Sequence, residues 1–205
     1  MKSATDMLGD LPQRNPFSTG ATRPGARTFR FPSGVAPEQL VHQLRQQSWW
    51  GEILGPHGSG KSTLVTTLEP LLREAGRDVR YFTLHQGEKR LSISHHVRTT
   101  WAASTQVVVD GYEQLSLWQR AMLKRICKRQ HAGLLVTTHE SIALPTLYRT
   151  SISLELAQQL VGELTGGDAS LITSDDVRQS FHRQQANLRE VFFELYDVYE
   201  SRRPG

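Results

Sequence analysis

Cysteine is nearly missing from this sequence, with Cys127 standing alone among 205 residues. That excludes an internal disulfide and a zinc site built from several cysteines, and it suits a reducing compartment. Long apolar runs are missing too. None reaches the roughly 20 residues of a bilayer span, and no apolar core of the signal-peptide kind stands near the N-terminus. A soluble, cytoplasmic protein without a membrane span is expected. Internal repeats and long low-complexity tracts are absent. Charge of one sign is weak: the net value of +4 does not by itself imply nucleic acid. The length suits one globular domain with a tail or small appendage.

The first thirty residues are short of what a core needs. They carry Lys2, Arg14, Arg23, Arg27 and Arg30 against Asp6 and Asp10, amid Pro, Gly, Ser and Thr. Such a stretch buries too little apolar surface to offset the entropy of ordering, so a flexible tail is expected over residues 1–27. Phe29 and Phe31 open the structured part. Pro37 suits the first turn of a helix, and Leu40, Val41 and Leu44 give it an apolar face. Trp49 to Leu54 reads as a buried strand. A helix follows from Lys61, with Leu64, Leu68, Leu71 and Ala75 on one face and a kink or early end expected at Pro70. Val79–Leu84 reads as a second strand, Ile93, Val97 and Trp101 as a helix, and Gln106–Val109 as a third strand. Leu115, Trp118, Met122 and Ile126 mark a further helix. Gly133–Thr138 is a fourth strand and Ile152–Leu156 the expected fifth. Strands alternating with helices predict an α/β fold, a parallel sheet with helices on both faces.

Between the first strand and its helix runs Gly55-Pro56-His57-Gly58-Ser59-Gly60-Lys61-Ser62, which matches G-x-x-x-x-G-K-[ST] in full. Glycines let backbone N–H groups turn inward toward phosphates. The helix start points its positive end at the same anion. Lys61 suits the β- and γ-phosphates of a nucleoside triphosphate, and the Ser62 hydroxyl suits Mg²⁺. Thr63 is placed near the α-phosphate. His57 and Ser59 occupy free positions of the pattern and receive no role of their own. ATP and Mg²⁺ are the expected ligands, since no Asn-Lys-x-Asp base-reading motif is present.

On these residues the chain resembles the P-loop NTPase superfamily over roughly 49–156. Val107-Val108-Val109-Asp110 looks like a Walker B strand, with Asp110 as the Mg²⁺ carboxylate opposite Ser62. One strand and one helix intervene between the loop and Asp110. That suggests the division, which includes AAA-like ATPases, in which another strand separates the two. The resemblance implies a glutamate beside the aspartate to activate water. Here Gly111 follows Asp110 directly and the nearest glutamate is Glu113, either the water-activating base or a solvated residue at the next helix start. Leu134 to His139 looks like the strand that ends in a γ-phosphate sensor, which makes Thr138 or His139 the sensor. Arg149 and Arg98 are weaker candidates for neutralising transition-state charge. Phe29 and Phe31 read as core packing, with an adenine contact as the alternative.

Two further segments bear on partners. Arg120, Lys124, Arg125, Lys128 and Arg129 give one helix a basic face. It reads as a solvated face opposite Trp118, Met122 and Ile126. A nucleic-acid partner is the second reading, since no aromatics are interleaved for stacking. Val177, Phe181, Leu188, Phe192, Leu195 and Tyr199 recur at helical spacing after a cap at Thr173 or Ser174, which predicts one long amphipathic helix. Its stripe reads as core-facing, with docking to a protein partner or a second copy as the alternative. The expected organisation is a tail over 1–27, a nucleotide domain over 28–160 and a C-terminal helical segment over 161–205. The expected function is a Mg²⁺-dependent ATPase or ATP-driven switch. The alternatives are a small P-loop kinase and a nucleotide-binding adaptor with negligible turnover.

Overall fold

The computed structural model describes residues 15–23 and 25–203. Residues 1–14, within the stretch expected to be loose, lie outside the described residues. In chain order the elements are α1 (Thr19–Thr22), α2 (Pro37–Gln46), β1 (Trp50–Leu54), α3 (Lys61–Glu74), β2 (Asp78–Thr83), α4 (His95–Thr99), β3 (Thr105–Asp110), α5 (Leu117–Arg129), β4 (Gly133–Thr138), β5 (Thr146–Arg149), α6 (Leu154–Leu164), α7 (Ser174–Arg183) and α8 (Leu188–Arg202). The chain divides into two compact units, Pro24–Ser153 and a second made of Met1–Arg23 with Leu154–Gly205. Among the described residues no helix is long and apolar enough to cross a membrane.

The larger unit is built on a five-stranded sheet of order β2-β3-β4-β1-β5, parallel at every pairing. β3 and β4 are buried along almost their whole length. Strands covered on both faces need no polar alternation, which is why residues 107–109 and 133–136 are unbroken apolar runs. Val108, Leu135, Ile53 and Leu147 meet α2 and α3 through Leu44, Leu64, Leu68 and Leu72. The opposite side chains, Val107, Val109, Leu134 and Val136, meet Leu123 and Cys127 of α5 together with Ile93 and Trp101. Helices therefore cover both faces. The strand that separates β1 from β3 in space is β4; β2, which intervenes in sequence, lies at the edge beyond β3.

One acidic side chain lies fully inside this core. Glu52, in the middle of β1, is 0% exposed. Its carboxylate accepts from Ser141 Oγ at 2.6 Å, Ile142 N at 2.9 Å, and Leu144 N and Thr146 Oγ1 at 3.4 Å each. These donors offset the cost of burying the charge. They also tie the loop between β4 and β5 to the sheet.

Several expectations need correction. The fifth strand is Thr146–Arg149, and Leu154 already begins α6. Pairing with β1 selects the earlier segment, helped by the bond from Glu52 N to the Pro145 carbonyl at 2.9 Å. Of the kink or early end expected at Pro70, the early end does not occur, since α3 runs on to Glu74. Leu68 and Leu72, on either side of the proline, are both in the core, and their burial outweighs one lost main-chain bond. The helix around Val97 is confined to His95–Thr99, and Ile93 and Trp101 are buried outside it. In α5 the buried face is Gln119, Leu123 and Cys127, and Trp118 is exposed.

The smaller unit is helical. The expected single C-terminal helix is two, α7 and α8, broken where Gln185 and Ala186 take φ of 50° and 61°. Thr173 caps α7 by accepting from Asp176 N, and Asp176 returns a bond from the Thr173 N–H at 2.8 Å. Val191, Phe192, Leu195 and Tyr199 of α8 are buried. Phe17 lies against Phe192 and Tyr199, with ring centroids 6.2 and 6.3 Å away. Asn15 donates to the Tyr196 carbonyl and to Glu200 Oε1. The segment from Asn15 to Arg23 thus belongs to this helical unit.

Candidate nucleotide site

The glycine-rich loop leaves the carboxyl end of β1 and enters α3, whose first residue is Lys61. Gly58 and Gly60 have φ of 67° and 89°, a region other residues enter at a cost. No side chain caps α3, so its first-turn N–H groups face the loop as donors without an intrahelical acceptor. An uncapped helix start behind left-handed glycines is a cradle for an anion. Gly55 is needed for another reason. A Cβ there would lie 2.1 Å from Thr150 Oγ1 and 2.7 Å from the Thr150 carbonyl oxygen. Thr150, just past β5, also joins Ser59 Oγ at 2.5 Å, and Ser59 Oγ donates to the Pro56 carbonyl at 2.8 Å. Ser59, a free position of the sequence pattern, thereby pins the loop to the end of β5. Phe29 covers Gly60 from outside the loop and packs edge-on with Phe31 and Tyr148.

Lys61 is only 8% exposed. Its ammonium donates to the Gly55 and Pro56 carbonyls at 2.7 and 2.8 Å, and it lies 3.3 Å from His139 Nδ1. On the far side of the same ring, His139 Nε2 meets Glu113 Oε1 at 2.9 Å. Lys61 has only protons to give, so a bond to Nδ1 needs that nitrogen bare. Nε2 then carries the ring proton and donates to Glu113. Nδ1 is also 3.0 Å from the Gly55 carbonyl, a bond the ring makes only when Nδ1 is protonated. His57 packs on the His139 ring, centroid to centroid 3.7 Å. Glu113 Oε2 is shielded from solvent and meets no donor among the described residues. A buried acceptor without a partner costs roughly 1–3 kcal/mol, and a catalytic role or a bound water or ion is among the ways such a group is accounted for.

Asp110 ends β3 one strand over. Its Oδ1 accepts from Thr137 Oγ1 at 2.6 Å and its Oδ2 from the Tyr81 hydroxyl at 3.2 Å. Burial, then the neighbouring Asp110 charge, push the Tyr81 phenol far above its usual range, so it stays a donor. The Gly111 N–H donates to Thr137 Oγ1 at 2.9 Å and fixes that hydroxyl. Gly111 has φ of 82°, and a Cβ on it would stand 2.6 Å from the Leu84 carbonyl oxygen. A side chain of any kind directly after Asp110 is blocked. The acid instead comes two residues later, on the 3-10 turn Tyr112–Gln114.

The donor set fits a hard cation. Two hydrogen bonds leave Asp110 oxygens with lone pairs to spare, and the half-buried Ser62 hydroxyl has no partner among the described residues. No group of three or more His, Cys, Asp or Glu side chains suited to a metal occurs among the described residues. Mg²⁺ would therefore depend on Ser62, Asp110 and phosphate oxygens, in keeping with its habit of few protein ligands.

The structure brings Lys61, His139 and Glu113 into one hydrogen-bonded line beside the loop. It does not bring Thr138 there, whose hydroxyl donates to the Glu140 carbonyl at 2.8 Å. Thr63 is half-buried in the first turn of α3. Arg149 is exposed at the end of β5, whereas Arg98 lines a crevice with Met122 and Ile126 of α5. Sequence reasoning passed over Thr137, Tyr81 and Thr150. No sequence signal singles out Thr137; the strand register places it, because Val109 pairs with Val136 and the next residues along are Asp110 and Thr137.

No family model matches the sequence, and no curated protein does. Among solved structures, the chain is similar to one titled as that of C. elegans PCH-2, at 10% identity with a TM-score of 0.42 over 81% of this chain and 67% of that one.

Proposed function

We propose that this chain binds ATP with Mg²⁺ and hydrolyses it, as an ATPase or ATP-driven switch. The observation that carries the reading is the line Lys61–His139–Glu113, which runs from the phosphate cradle to a carboxylate with one unpartnered oxygen. On binding, Lys61 exchanges the Gly55 and Pro56 carbonyls for the β- and γ-phosphates. Glu113 takes a proton from a water that attacks the γ-phosphorus as the bond to the bridging oxygen breaks, giving ADP and inorganic phosphate. His139, held between Lys61 and Glu113, orients the carboxylate. Ser62 and Asp110 would hold Mg²⁺, which would supply charge neutralisation at the phosphate oxygens.

The test is paired. Lys61→Ala removes most Mg-ATP affinity in calorimetric titration while the fold survives; unchanged affinity in the folded variant refutes the site. Glu113→Gln lowers phosphate release by roughly 10²- to 10⁴-fold with ATP binding near normal. Release that does not change moves water activation to His139. Asp110→Asn weakens the Mg²⁺ dependence.

One observation favours a second reading, a small kinase. An open groove of about 620 Å³, lined by Tyr81–Leu84 and 87–92, lies along the edge strand. Its Tyr81 touches Asp110, and the size suits an acceptor. Phosphate release without any acceptor separates the two. Binding of ATP with no release and no transfer identifies a nucleotide-binding adaptor.

A further inference from the structure

Helix α5 carries five cations, Arg120, Lys124, Arg125, Lys128 and Arg129, and no acid. The structure divides them. Arg120 donates to the Glu113 and Leu115 carbonyls, and Lys124 donates to the Ile142 carbonyl. Lys128 stands 6.0 Å above the Trp50 ring. Arg125 and Arg129 are exposed and have no partner among the described residues. At 3.6 residues per turn, Trp118, Arg125 and Arg129 fall within about 40° of one another around the helix. They form a stripe about 16 Å long at 1.5 Å per residue.

Trp118 is 68% exposed and its neighbour Leu117 80%. A tryptophan in solvent at the head of a cationic stripe supplies the stacking face that a purely basic patch lacks. Further cations lie close by. The Ser116 N–H donates to the Lys89 carbonyl at 3.3 Å, which sets exposed Lys89 and Arg90 beside the start of α5. The nearest acid in that segment, Glu88, is turned back onto the His85 N–H at 2.8 Å.

We propose that the outer face of α5, from Trp118 to Arg129, is a docking surface for single-stranded nucleic acid. An unpaired base stacks on the indole and backbone phosphates meet Arg125 and Arg129. A base inside a duplex has no free face to offer the indole. A bilayer surface is disfavoured because the apolar pair sits at one end of the stripe only, whereas an interfacial helix is apolar along its length. An acidic peptide satisfies the arginines and leaves the indole unused.

The test uses the full chain, without nucleotide, and a fluorescein-labelled oligo-dT read by anisotropy across a salt titration. Wild type binds at low salt. Trp118→Ala weakens single-strand binding by roughly 5- to 150-fold, the loss of one stacked base, and leaves the salt slope and the affinity for a duplex of equal length unchanged. Arg125→Glu with Arg129→Glu lowers the slope of log affinity against log salt by about 1.4. All three positions are exposed, so far-UV circular dichroism stays at the wild-type spectrum. No binding of the oligonucleotide at low salt overturns the proposal. So does single-strand affinity indifferent to Trp118, which leaves only a general attraction to polyanions. Uptake on phosphatidylserine vesicles that depends on Trp118, with oligonucleotide binding that does not, assigns the face to membranes and overturns it too. Lys61→Ala retains oligonucleotide binding, so failure of the ATP reading and failure of this one are distinguishable.

Discussion

Replacing Gly111 with alanine tests whether the residue after Asp110 is glycine for steric reasons. Two costs follow from the structure. The first is conformational: Gly111 has φ of 82°, and an L-residue held there costs about 1–2 kcal/mol. The second is overlap. The new Cβ would lie 2.6 Å from the Leu84 carbonyl oxygen, and Leu84 is itself held by its N–H to the Asp110 carbonyl at 2.9 Å. Backbone cannot swing aside as a flexible side chain does, so the strain adds about 1–3 kcal/mol. The total is about 2–5 kcal/mol in urea unfolding. Gly76→Ala is the control, because Gly76 has nearly the same φ, 81°, with nothing within 4 Å of its added Cβ. It pays only the first cost. Gly111→Ala should also weaken Mg²⁺-dependent ATP binding, since the Gly111 N–H fixes the Thr137 hydroxyl that holds Asp110. Equal destabilisation by the two substitutions refutes the steric argument.

Glu52→Ala leaves the Ile142 and Leu144 N–H groups without their acceptor and costs about 2–4 kcal/mol, read as a lower urea midpoint and faster proteolysis between β4 and β5. Cys127 is fully buried in the core and burial pushes its thiol up to about 12; a thiol reagent at pH 8 therefore labels it only at the rate of unfolding, and rapid labelling of native protein contradicts its place in the core. The side-chain bonds from Arg202, with the Thr173 donors, hold the Asp176 carboxyl well below its usual range. A depressed acid stabilises the fold above its unfolded value of about 4 and loses that contribution as pH falls. Thermal unfolding of wild type and Asp176→Asn should differ at pH 7 and converge progressively below pH about 4.

The sheet was legible where the sequence had no polar alternation to hide it. Residues 107–109 and 133–136 are continuous apolar runs because both faces of β3 and β4 are covered. The glycine-rich loop between β1 and α3 was legible because its residues stand at the fixed spacing of a known pattern. β5 was not, since Thr146–Arg149 is a strand only by virtue of pairing with β1, while Ile152–Leu156 shows the local alternation without a partner. The break between α7 and α8 carries no glycine or proline, only Gln185 and Ala186 in left-handed conformation. In α5 two stripes with the same spacing of four lie one residue, or about 100°, apart. Trp118–Met122–Ile126 is the more apolar on paper, yet Gln119–Leu123–Cys127 is the buried one, and composition alone favours the wrong stripe.

Within the site the same distinction holds between local pattern and register. Thr137 and Thr138 are equivalent in the sequence, but alternate residues of a strand point to opposite faces. Only the pairing of Val109 with Val136 puts Thr137 beside Asp110 and leaves Thr138 to the Glu140 carbonyl. Gly111 is the clearest case. The sequence shows it as a departure from an acidic pair, and its cause is a carbonyl on another strand. Because the Leu84 oxygen occupies the space a side chain at 111 would take, an acid in this site has to stand further along, and Glu113 on the 3-10 turn is two residues on. An acid there lacks the rigid hold of a strand end. The bond from His139 Nε2 at 2.9 Å provides the missing constraint, and the same ring reaches Lys61 on its other side. The displaced glutamate and the histidine at the end of β4 are therefore parts of one arrangement, and His139→Ala should lower turnover nearly as far as Glu113→Gln while His139→Asn, which keeps a donor, lowers it less.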